Sequence, residues 1–521
     1  MKKIGILFLL ICFNSQSQNL TIQNGGSLTI EKSGSMNVSG NFSNSGTVTM
    51  HSDGDEFSAM KVSGSTSGTI TYNRFVNVAD LSGNEWDLIG SPVGGLSISN
   101  FVVDNSGTLA TNGSQYAVGY YDNETNDWTN YTTATVASAN DFDIGKGYQM
   151  GTVSGGTQIL AFTGTVSAND ETQSVINNNA ANGGNGRRWN LVANPYPTYL
   201  NANDDADNTN NFLTTNVSKI DSEFLAIYGW DADGTGYTAR GHDFNSNAAV
   251  YLAPGQAFFI ASDDVVGENI TFSEAIQTVS PASSDDFIQG DAMSAKEIFL
   301  RIYHDDIFIE DTHIKFQDNM SLGLDPGYDL GSFDQNVAIS SRLIEDDQGT
   351  NFAHQQLPLS SMQNAVIPIV INQPAGQEFR INLHSATIPN PNVFLEDVQL
   401  GTFTNLYEDD VIIFSDSDLA GVGRFYIHMS SETMSIEVES RNLLKAYKKI
   451  NDSYITIEGL SSQNGEVKVS MYNILGSKIL STSFDNSLNQ RIISTQGISQ
   501  GIYVVELESL GSRVTKKILI K

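Results

Sequence analysis

One phrase occurs twice in this sequence, about a hundred residues apart, and it constrains the fold more than any other feature. "NEWDLIGSPVGGLSI" (84–98) returns as "RRWNLVANPYPTYLN" (187–201), each with a tryptophan, aliphatic residues and a proline in the same order. The text downstream repeats too: "YYDNETNDWTNY" matches "IYGWDADGTGYT", "IGKGYQM" matches "LAPGQAFFI", and "LAFTGTV" matches "ITFSEAI". The chain therefore contains an internal duplication.

Each copy has the pattern of a β-module. Proline lacks the donor that a strand ladder needs, so Pro92 and Pro195 are expected to end the strand that begins near each tryptophan. The polar turns "YDNETNDW" and "WDADGTGY" are flanked by aromatic residues, which is typical of hairpins with cross-strand aromatic pairs. We predict one module at 81–180 and the other at 181–285, packed together or intertwined.

The flanking regions predict further β structure. Charged residues make up only 17% of the chain and glycine is abundant, a composition that favours short strands joined by turns. In 18–80, triplets of β-formers are separated by Gly, Ser and Asn turns, so we predict a β-solenoid-like segment that leans on the next module. In 286–440, alternating runs such as "FRINLH" lie between Pro and Gly breaks and predict a β-sandwich. The predicted fold class is all-β.

The net charge of −32 excludes two classes of partner. So acidic a chain repels the phosphate backbone of nucleic acids and an anionic membrane face alike. The charge changes sign from Arg441 onward, where 11 basic and 6 acidic side chains give about +5. That shift predicts a domain boundary and a separate domain at 441–521.

The first 17 residues have the pattern of a secretory signal peptide. Lys2 and Lys3 form a basic start, Ile4–Phe13 is apolar but too short to span a membrane, and cleavage is expected after Ser17. The Sec translocon and signal peptidase are therefore expected partners. The only cysteine lies inside this segment, so the mature chain would contain no disulfide.

The last 75 or so residues carry a family resemblance. "ITIEGL" (455–460), "GEVKVSMYNILGSKIL" (465–480), "ISQGIYVVELES" (498–509) and "RVTKKILIK" (513–521) resemble, in order and spacing, the type A C-terminal sorting domain of the Bacteroidetes type IX secretion system. One departure is Ser477, where arginine commonly stands after the turn glycine. The positions that match the family motif are Asn473, Gly476, Gly501, Tyr503, Lys516, Lys517 and Lys521.

The resemblance implies a small Ig-like β-sandwich that the outer-membrane export machinery recognises. It also implies that the protein reaches the cell surface or the medium through the periplasm. The remaining modules resemble ones that recur in surface proteins of the same bacteria, which indicates a kind of protein and a place but no chemistry.

One short motif raises the question of a bound ion. "DADGTG" places Asp231, Asp233 and Thr235 at the alternate positions of an oxygen-ligand calcium loop. The closing glutamate of such a loop is replaced by His242, and the matching segment of the first copy lacks the pattern. A hairpin turn and a Ca²⁺ site both stay open, and we favour the turn.

Aromatic residues of the duplicated hairpins raise the question of a glycan site. Exposed on a sheet, such rings stack on sugars, and packed across strands they form core. We favour the core interpretation and keep both open for Tyr120, Trp128, Tyr228, Trp230 and Tyr237.

Enzyme signatures are scarce. The sequence has no Gly-x-Ser-x-Gly elbow, His-Glu-x-x-His motif or Walker loop. The seven histidines show no ligand spacing and most are expected to face solvent, while the acidic runs at 345–347 and 408–410 have the pattern of turns. We therefore expect a non-enzymatic exported protein with a role in adhesion, matrix or glycan contact. The alternative is a secreted carbohydrate-active enzyme or its binding subunit, with a carboxylate pair in 286–440.

Overall fold

The computed structural model describes residues 16–17, 19–79, 86–178, 187–230, 237–242, 249–279, 281, 296–388, 392–430, 444–449, 452–461, 463, 465–509 and 512–520. Strands make up about 50% of the structure and helices only 6%, so the all-β prediction is confirmed. None of the helices in these ranges is long and apolar enough to cross a membrane. The chain divides into an N-terminal unit (1–178, 186–221 and 226–290) and a C-terminal unit (179–185, 222–225 and 291–521).

The N-terminal unit begins with three stacks of short parallel strands. The strands are β1 (Gln16–Ser17), β2 (Leu20–Ile22), β3 (Ser27–Ile30), β4 (Ser35–Val38), β5 (Phe42–Asn44), β6 (Thr47–His51), β7 (Ala59–Val62), β8 (Thr66–Ser67) and β9 (Ile70–Phe75). Every third strand pairs in parallel, which gives the orders β1-β4-β7, β2-β5-β8 and β3-β6-β9. The chain therefore coils, and successive turns of the coil stack on one another.

Glycine permits this tight stacking. A Cβ on Gly46 would lie 2.3 Å from the carbonyl oxygen of Gly26 in the preceding turn, closer than any real contact. Inside the coil, Val38, Met50 and Met60 are completely buried. Short β-forming triplets can therefore share a core that none of them could bury alone.

The first copy of the duplication follows with one helix and seven strands in the described residues. They are β10 (Asp87–Ile89), α1 (Ile98–Asp104), β11 (Thr111–Asn112), β12 (Gln115–Asp122), β13 (Asp127–Thr132), β14 (Tyr148–Met150), β15 (Ile159–Gly164) and β16 (Glu171–Val175). Strand β15 pairs antiparallel with β9 along its whole length, so the first copy adds a strand to the sheet that contains β3, β6 and β9.

The second copy repeats the plan of the first. Its elements are β17 (Trp189–Ala193), β18 (Tyr199–Asn201), α2 (Phe212–Asn216), β19 (Ile227–Trp230), β20 (Tyr237–Arg240), β21 (Tyr251–Leu252), β22 (Ala257–Ala261), β23 (Glu268–Phe272) and β24 (Gln277–Thr278). The main sheet has the order β17-β22-β19-β20, equivalent to β10-β14-β12-β13 in the first copy. Each helix has a side-chain N-cap, from Ser97 for α1 and from Asn211 for α2.

The two copies are joined by reciprocal hydrogen bonds between the repeated phrases. The amide of Gly90, in the first phrase, donates to the carbonyl of Gly255 in the second copy at 2.7 Å. Conversely, the amide of Gly147, in the first copy, donates to the carbonyl of Leu191 in the second phrase at 3.0 Å. Strand β17 ends two residues before Pro195, as the sequence predicts. Each repeated phrase therefore contains a segment that forms a backbone hydrogen bond with a glycine turn of the other copy.

This junction predicts a sharp sensitivity at Gly147. A Cβ there would lie 2.5 Å from Cγ of Leu191 and 2.8 Å from Cβ of Ala257. We expect Gly147→Ala to lower the free energy of unfolding of the N-terminal unit by about 1–3 kcal/mol, because the junction has no room for a methyl group. Chemical denaturation of the full chain measures the change.

The control is Gly54→Ala in the same unit, where the nearest heavy atom to the new methyl group is 3.7 Å away. We expect this substitution to change stability by no more than about 0.5 kcal/mol. Equal effects of the two substitutions would contradict the close junction between the copies.

The C-terminal unit contains a large β-domain, defined as β25–β35. Its strands are β25 (Glu297–His304), β26 (Ile307–Gln317), β27 (Leu330–Gly331), β28 (Ile339–Ser341), β29 (Phe352–Pro358), β30 (Val366–Ile371), β31 (Glu378–Ala386), β32 (Asn392–Asp397), β33 (Thr402–Asn405), β34 (Val411–Phe414) and β35 (Phe425–Ser430). They form one sheet, β33-β32-β35-β30-β28-β29-β26-β25-β31-β34, with β27 on β29. Leu300 of β25 and Ile367 of β30 belong to one buried core, so the two halves of this sheet face each other.

A smaller sandwich, the C-terminal sandwich, completes the unit. Its strands are β36 (Lys445–Tyr447), β37 (Tyr454–Glu458), β38 (Val467–Asn473), β39 (Lys478–Phe484), β40 (Gln490–Ser494), β41 (Gly501–Ser509) and β42 (Ser512–Ile520). They form two sheets, β36-β37-β40 and β39-β38-β41-β42, and the core between them includes Ile457 and Val505. The module boundaries predicted from the sequence stay predictions.

Candidate functional site

The aromatic residues of the two duplicated hairpins meet around Phe259 on β22. The ring of Phe259 lies 5.0 Å from Tyr121, 6.2 Å from Trp128 and 5.4 Å from Tyr237 (centroid distances). Trp230 in turn packs on Tyr237 at 5.0 Å. Hairpins of both copies thus share one aromatic cluster, whose edge-to-face pairs stabilise the junction between the copies.

Burial separates the members of the predicted glycan-stacking set. Tyr228 is 1% exposed and its ring lies 4.6 Å from that of Trp189, so it belongs to the core and cannot meet a sugar. For this residue the structure has the core packing that the sequence analysis favours. Tyr120, half-buried, packs on Tyr131 at 5.8 Å, and burial raises the pKa of Tyr131 to about 12. For the half-buried rings, glycan stacking stays a prediction.

The predicted calcium ligands Asp231, Asp233 and Thr235 lie outside the described residues. In the first copy, Asp122 Oδ1 accepts a hydrogen bond from the amide of Glu124 at 2.9 Å, as in an ordinary polar turn. No group of three or more His, Cys, Asp or Glu side chains in the part of the chain that the structure covers could hold a metal ion.

The histidines differ from expectation, because four of the seven are buried. These are His242, His313, His354 and His428. His313 lies 2.6 Å from Glu297, and His428 lies 2.6 Å from Glu396, each a carboxylate on an adjacent strand. Cross-strand pairing of this kind satisfies a buried imidazole, and residue spacing along the chain does not reveal it.

A row of side chains crosses four neighbouring strands at one edge of the large β-domain. Ile412 on β34 aligns with Arg380 on β31. Tyr303 on β25 aligns with Arg380 on one side and with Phe308 of β26 on the other. Aligned residues on adjacent strands share a face of the sheet. We call these four residues the edge row.

Contacts within the edge row order its side chains while leaving apolar surface in solvent. The guanidinium carbon of Arg380 lies 4.4 Å from the ring centre of Tyr303, a cation–π contact. Arg380 is held by Asp410 at 2.8 Å, and Ile412 and Phe308 are 62% and 37% exposed. Exposed apolar surface beside a fixed cation is typical of an interaction site.

In the C-terminal sandwich, the turn between β38 and β39 contains two of the predicted sorting residues. Asn473 Oδ1 accepts hydrogen bonds from the amides of Leu475 at 3.0 Å and Ser477 at 2.9 Å. Gly476 has φ of +80°, a left-handed conformation that glycine adopts without strain. These contacts fix a turn whose tip exposes Ile474 (75%) and Leu475 (84%).

Gly501 and Tyr503 lie at the start of β41. Gly501 aligns with Ile520 of β42, and Tyr503 aligns with Ile518. Tyr503 is 7% exposed and its hydroxyl donates to the carbonyl of Ser499 at 2.7 Å. This tyrosine therefore anchors the strand within the sandwich core.

The basic residues of β42 divide between its two faces. Lys516 is half-buried and shares the inner face of the strand with the buried Ile518. Lys517 is exposed on the opposite face. Lys521, the last predicted sorting residue, lies outside the described residues.

Four charged side chains form a buried cluster where the C-terminal sandwich meets the large β-domain. We call Arg342, Asp347, Lys445 and Glu458 the charge cluster. Asp347 lies 2.9 Å from Arg342 Nε and 2.6 Å from Lys445 Nζ. Arg342 Nη2 lies 3.5 Å from Glu458, which also accepts a hydrogen bond from the hydroxyl of Tyr447 at 2.8 Å. The side chains of Arg342, Asp347 and Glu458 are 5% exposed or less.

The cluster contains two basic and two acidic side chains, and its two basic members keep the carboxyl of Asp347 ionised. Burial disfavours the charge of Asp347, but Arg342 and Lys445 outweigh it and hold its pKa far below the ordinary value. A carboxylate of this kind stabilises the fold above its unfolded pKa and loses that contribution only as pH falls through its lower folded pKa. The ion pair between Asp347 and Arg342 therefore persists at neutral and mildly acidic pH.

Two further contacts join the C-terminal sandwich to the large β-domain. A Cβ on Gly349 would lie 2.0 Å from the ring of Tyr447, so the ring rests directly on the glycine. Elsewhere at the same junction, Asn489 Nδ2 donates to the carbonyl oxygens of Val422 at 2.5 Å and Ala420 at 3.2 Å. The C-terminal sandwich is therefore docked on the large β-domain at two places.

Two family models match the chain. Residues 9–428 match the model described as a domain of unknown function, DUF8693. The chain belongs to the DUF8693 family. Residues 451–521 match the secretion system C-terminal sorting domain. No curated protein matches the chain.

The sorting-domain match confirms the resemblance seen in the sequence. This DUF8693 protein is a substrate of the type IX secretion system, which implies a Bacteroidetes source. It is exported to the cell surface or beyond, and it interacts with the secretion machinery. The DUF8693 description itself names no molecular role.

Strand β36 lies between the two matched ranges, yet it supplies Lys445 to the charge cluster and Tyr447 to its rim. Sequence reasoning missed this cluster. Asp347 stood in an acidic run interpreted as a turn, and only Asp346 beside it has the left-handed φ of a turn residue. The DUF8693 region and the sorting domain thus meet at a seam that neither family model spans.

The charge cluster predicts a large effect of Asp347→Ala. The substitution would leave Arg342 and Lys445 buried without their shared carboxylate. We expect the free energy of unfolding of the C-terminal unit to fall by about 3–5 kcal/mol, because an unpaired buried charge keeps its desolvation cost. Urea denaturation followed by circular dichroism measures the loss.

Glu345→Ala is the matched control, since Glu345 is exposed in the same acidic run. We expect its effect to stay within about 0.5 kcal/mol. Adding Lys445→Met to Asp347→Ala should recover part of the lost stability by removing one stranded charge. A loss for Asp347→Ala no larger than for Glu345→Ala would contradict this account.

Proposed function

We propose that this exported DUF8693 protein is a non-enzymatic binding protein that contacts extracellular glycans, in adhesion or in a surface matrix, through the edge row. The observation that carries the proposal is the alignment of Ile412, Arg380, Tyr303 and Phe308 across four adjacent strands. The export of the chain, which rests on the sorting domain, puts such a surface in contact with extracellular material.

The chemistry of the edge row suits a sugar chain. Aromatic rings supply apolar faces for sugar rings, and a guanidinium supplies several directional donors for hydroxyl or carboxylate oxygens. Four strands at a spacing of about 4.8 Å give a platform about 14 Å wide. The cation–π contact at 4.4 Å and the ion pair with Asp410 hold Arg380 in place before a ligand arrives. A preorganised surface loses less entropy on binding.

A second aromatic–arginine contact extends the platform. The guanidinium carbon of Arg301 lies 4.8 Å from the ring centre of Phe299 and 5.0 Å from that of Phe308. Phe414, on the edge strand β34, is 55% exposed. Among the strands of the described residues, β34 is the last of this sheet, and an edge strand of this kind can accept a partner.

Three further parts of the proposal come from the sequence pattern. The Sec translocon and signal peptidase would act on residues 1–17 before the type IX step. A Ca²⁺ ion at Asp231, Asp233 and Thr235 stays a proposal that calcium titration with thermal melting would decide. The half-buried hairpin rings remain a second glycan candidate behind the edge row.

A glycan array probed with the full mature chain tests the proposal. We expect binding to a subset of glycans, and a drop of about tenfold or more in affinity on Tyr303→Ala or Phe308→Ala, because each removes an aromatic face. The control is Leu400→Ala, which removes a 67% exposed apolar side chain near β33, at the other end of the sheet order.

The same experiment separates the alternatives. Binding that survives both edge-row substitutions would move the site away from the edge row. Hydrolysis of a bound glycan would favour the carbohydrate-active enzyme instead. No binding to any glycan would contradict the glycan proposal and leave export as the established property of the chain.

A further inference from the structure

The charged groups at the edge row come in pairs of opposite sign. Arg380 donates through Nη1 to Asp410 Oδ2 at 2.8 Å and through Nη2 to Asp306 Oδ1 at 3.2 Å. The side chains of Asp410 and Asp306 are 42% and 91% exposed, so solvent reaches both carboxylates. Hydrogen-bond donors and acceptors are therefore presented side by side at this surface.

A second pair of the same kind lies on the same face of the sheet. Arg301 stands two residues before Tyr303 on β25, so the two side chains point to the same side. Arg301 Nε lies 3.6 Å from Asp311 Oδ2. The same guanidinium reaches the edge row, because its carbon atom lies 5.0 Å from the ring centre of Phe308.

Two aromatic rings connect the arginine–aspartate pairs. The rings of Tyr303 and Phe308 lie 6.2 Å apart, with 70° between their planes. Arg380 contacts the first ring and Arg301 contacts the second, so an arginine stands at each end of one run of contacts. Apolar ring surface beside donors and acceptors suits a sugar, which has C–H groups on its faces and hydroxyl groups at its rim.

We propose that the edge row binds neutral polysaccharides and rejects polysaccharides that carry carboxylate or sulfate groups. This inference rests on the glycan-binding function proposed above and names the class of its ligand. A hydroxyl group is both a donor and an acceptor, so two neighbouring hydroxyls of a sugar can bond a carboxylate and a guanidinium at the same time. A neutral sugar can therefore bind while each arginine keeps its aspartate.

The acidic partners of the arginines disfavour an anionic ligand. A carboxylate or sulfate could reach Arg380 only in competition with Asp410 and Asp306, and it would lie beside two negative charges. The chain as a whole adds to this repulsion, because its net charge is −32. Selectivity of this kind comes from repulsion of the wrong ligand as well as from attraction of the right one.

Binding of the full mature chain to matched pairs of soluble polysaccharides tests this selectivity. The pairs are dextran with dextran sulfate, hydroxyethyl cellulose with carboxymethyl cellulose, and mannan with polymannuronate. We expect binding to the neutral member of at least one pair, and binding to its anionic partner that is weaker by about tenfold or more. Because the neutral ligand forms no ion pair, its affinity should change by less than about threefold when NaCl is raised to about 0.5 M.

Asp410→Asn separates selectivity from folding, because it keeps the size of the side chain and removes one negative charge beside Arg380. We expect weaker binding of the neutral polymer and tighter binding of its anionic partner, so that the ratio of the two affinities falls by about tenfold. Asp416→Asn is the matched control, since Asp416 is exposed just after β34 and its loss removes the same charge. It should leave the ratio unchanged, and thermal melting verifies that both variants are folded.

The outcomes distinguish a failure of the selectivity from a failure of glycan binding itself. Equal or tighter binding of the anionic polymer, lost on Tyr303→Ala, would overturn the selectivity and leave the glycan-binding function standing. The same shift in ratio for Asp416→Asn as for Asp410→Asn would also overturn the selectivity. Binding of a neutral polymer that survives Tyr303→Ala would contradict both proposals. No binding to any of the six polymers would overturn the selectivity, and the glycan array would then decide whether the glycan-binding function fails with it.

Discussion

The buried charge cluster of Arg342, Asp347, Lys445 and Glu458 is the interaction on which the C-terminal unit depends. Two cations and two carboxylates compensate one another away from water, and each needs its partners because a lone buried charge is costly. The ring of Tyr447 closes over Gly349 beside them. The charge cluster thus docks the sorting domain on the large β-domain. Substitution of any of its members is expected to destabilise this contact.

Docking by the charge cluster affects the orientation in which the sorting domain is exposed. A sorting domain on a loose tether would sample many orientations, whereas the docked domain holds β42 and the exposed Leu475 turn in one orientation relative to the large β-domain. A cleft of about 340 Å³ belongs to the same arrangement, because residues 346–348 and 446–449, which line part of it, come together at this seam. The docking of the sorting domain, the cleft and the orientation of β42 therefore all depend on the same contact.

The N-terminal unit uses a different solution to a similar problem. Its two copies are joined by backbone hydrogen bonds between repeated phrases, and Gly147 leaves the room that Leu191 needs. The aromatic hairpins then close over Phe259 from both copies. These reciprocal hydrogen bonds explain why the tryptophan–proline phrase occurs twice. Each copy needs a segment that can form a hydrogen bond with the glycine turn of the other copy.

Sequence reasoning reached the all-β fold class and export by the type IX system because these are expressed in local patterns and in a family motif. It placed the glycan candidates in the hairpins because aromatic residues are dense there. Spacing along a chain does not reveal which face of a strand is covered, and Tyr228 is buried while Phe308 of the large β-domain is exposed. The charge cluster was missed because its members are far apart in the sequence. Asp347 and Lys445 are nearly a hundred residues apart, and only the folded topology brings them within 2.6 Å.

Hydrogen exchange measured by mass spectrometry on the intact protein tests the central claim most directly. If the charge cluster unites the two parts, amides of β36–β37 and of β28–β29 should open with the same free energy, because they belong to one cooperative unit. Both should lose protection together in the Lys445→Met variant. Exchange in β36–β37 that is orders of magnitude faster than in β28–β29, and unchanged by that substitution, would contradict a docked sorting domain.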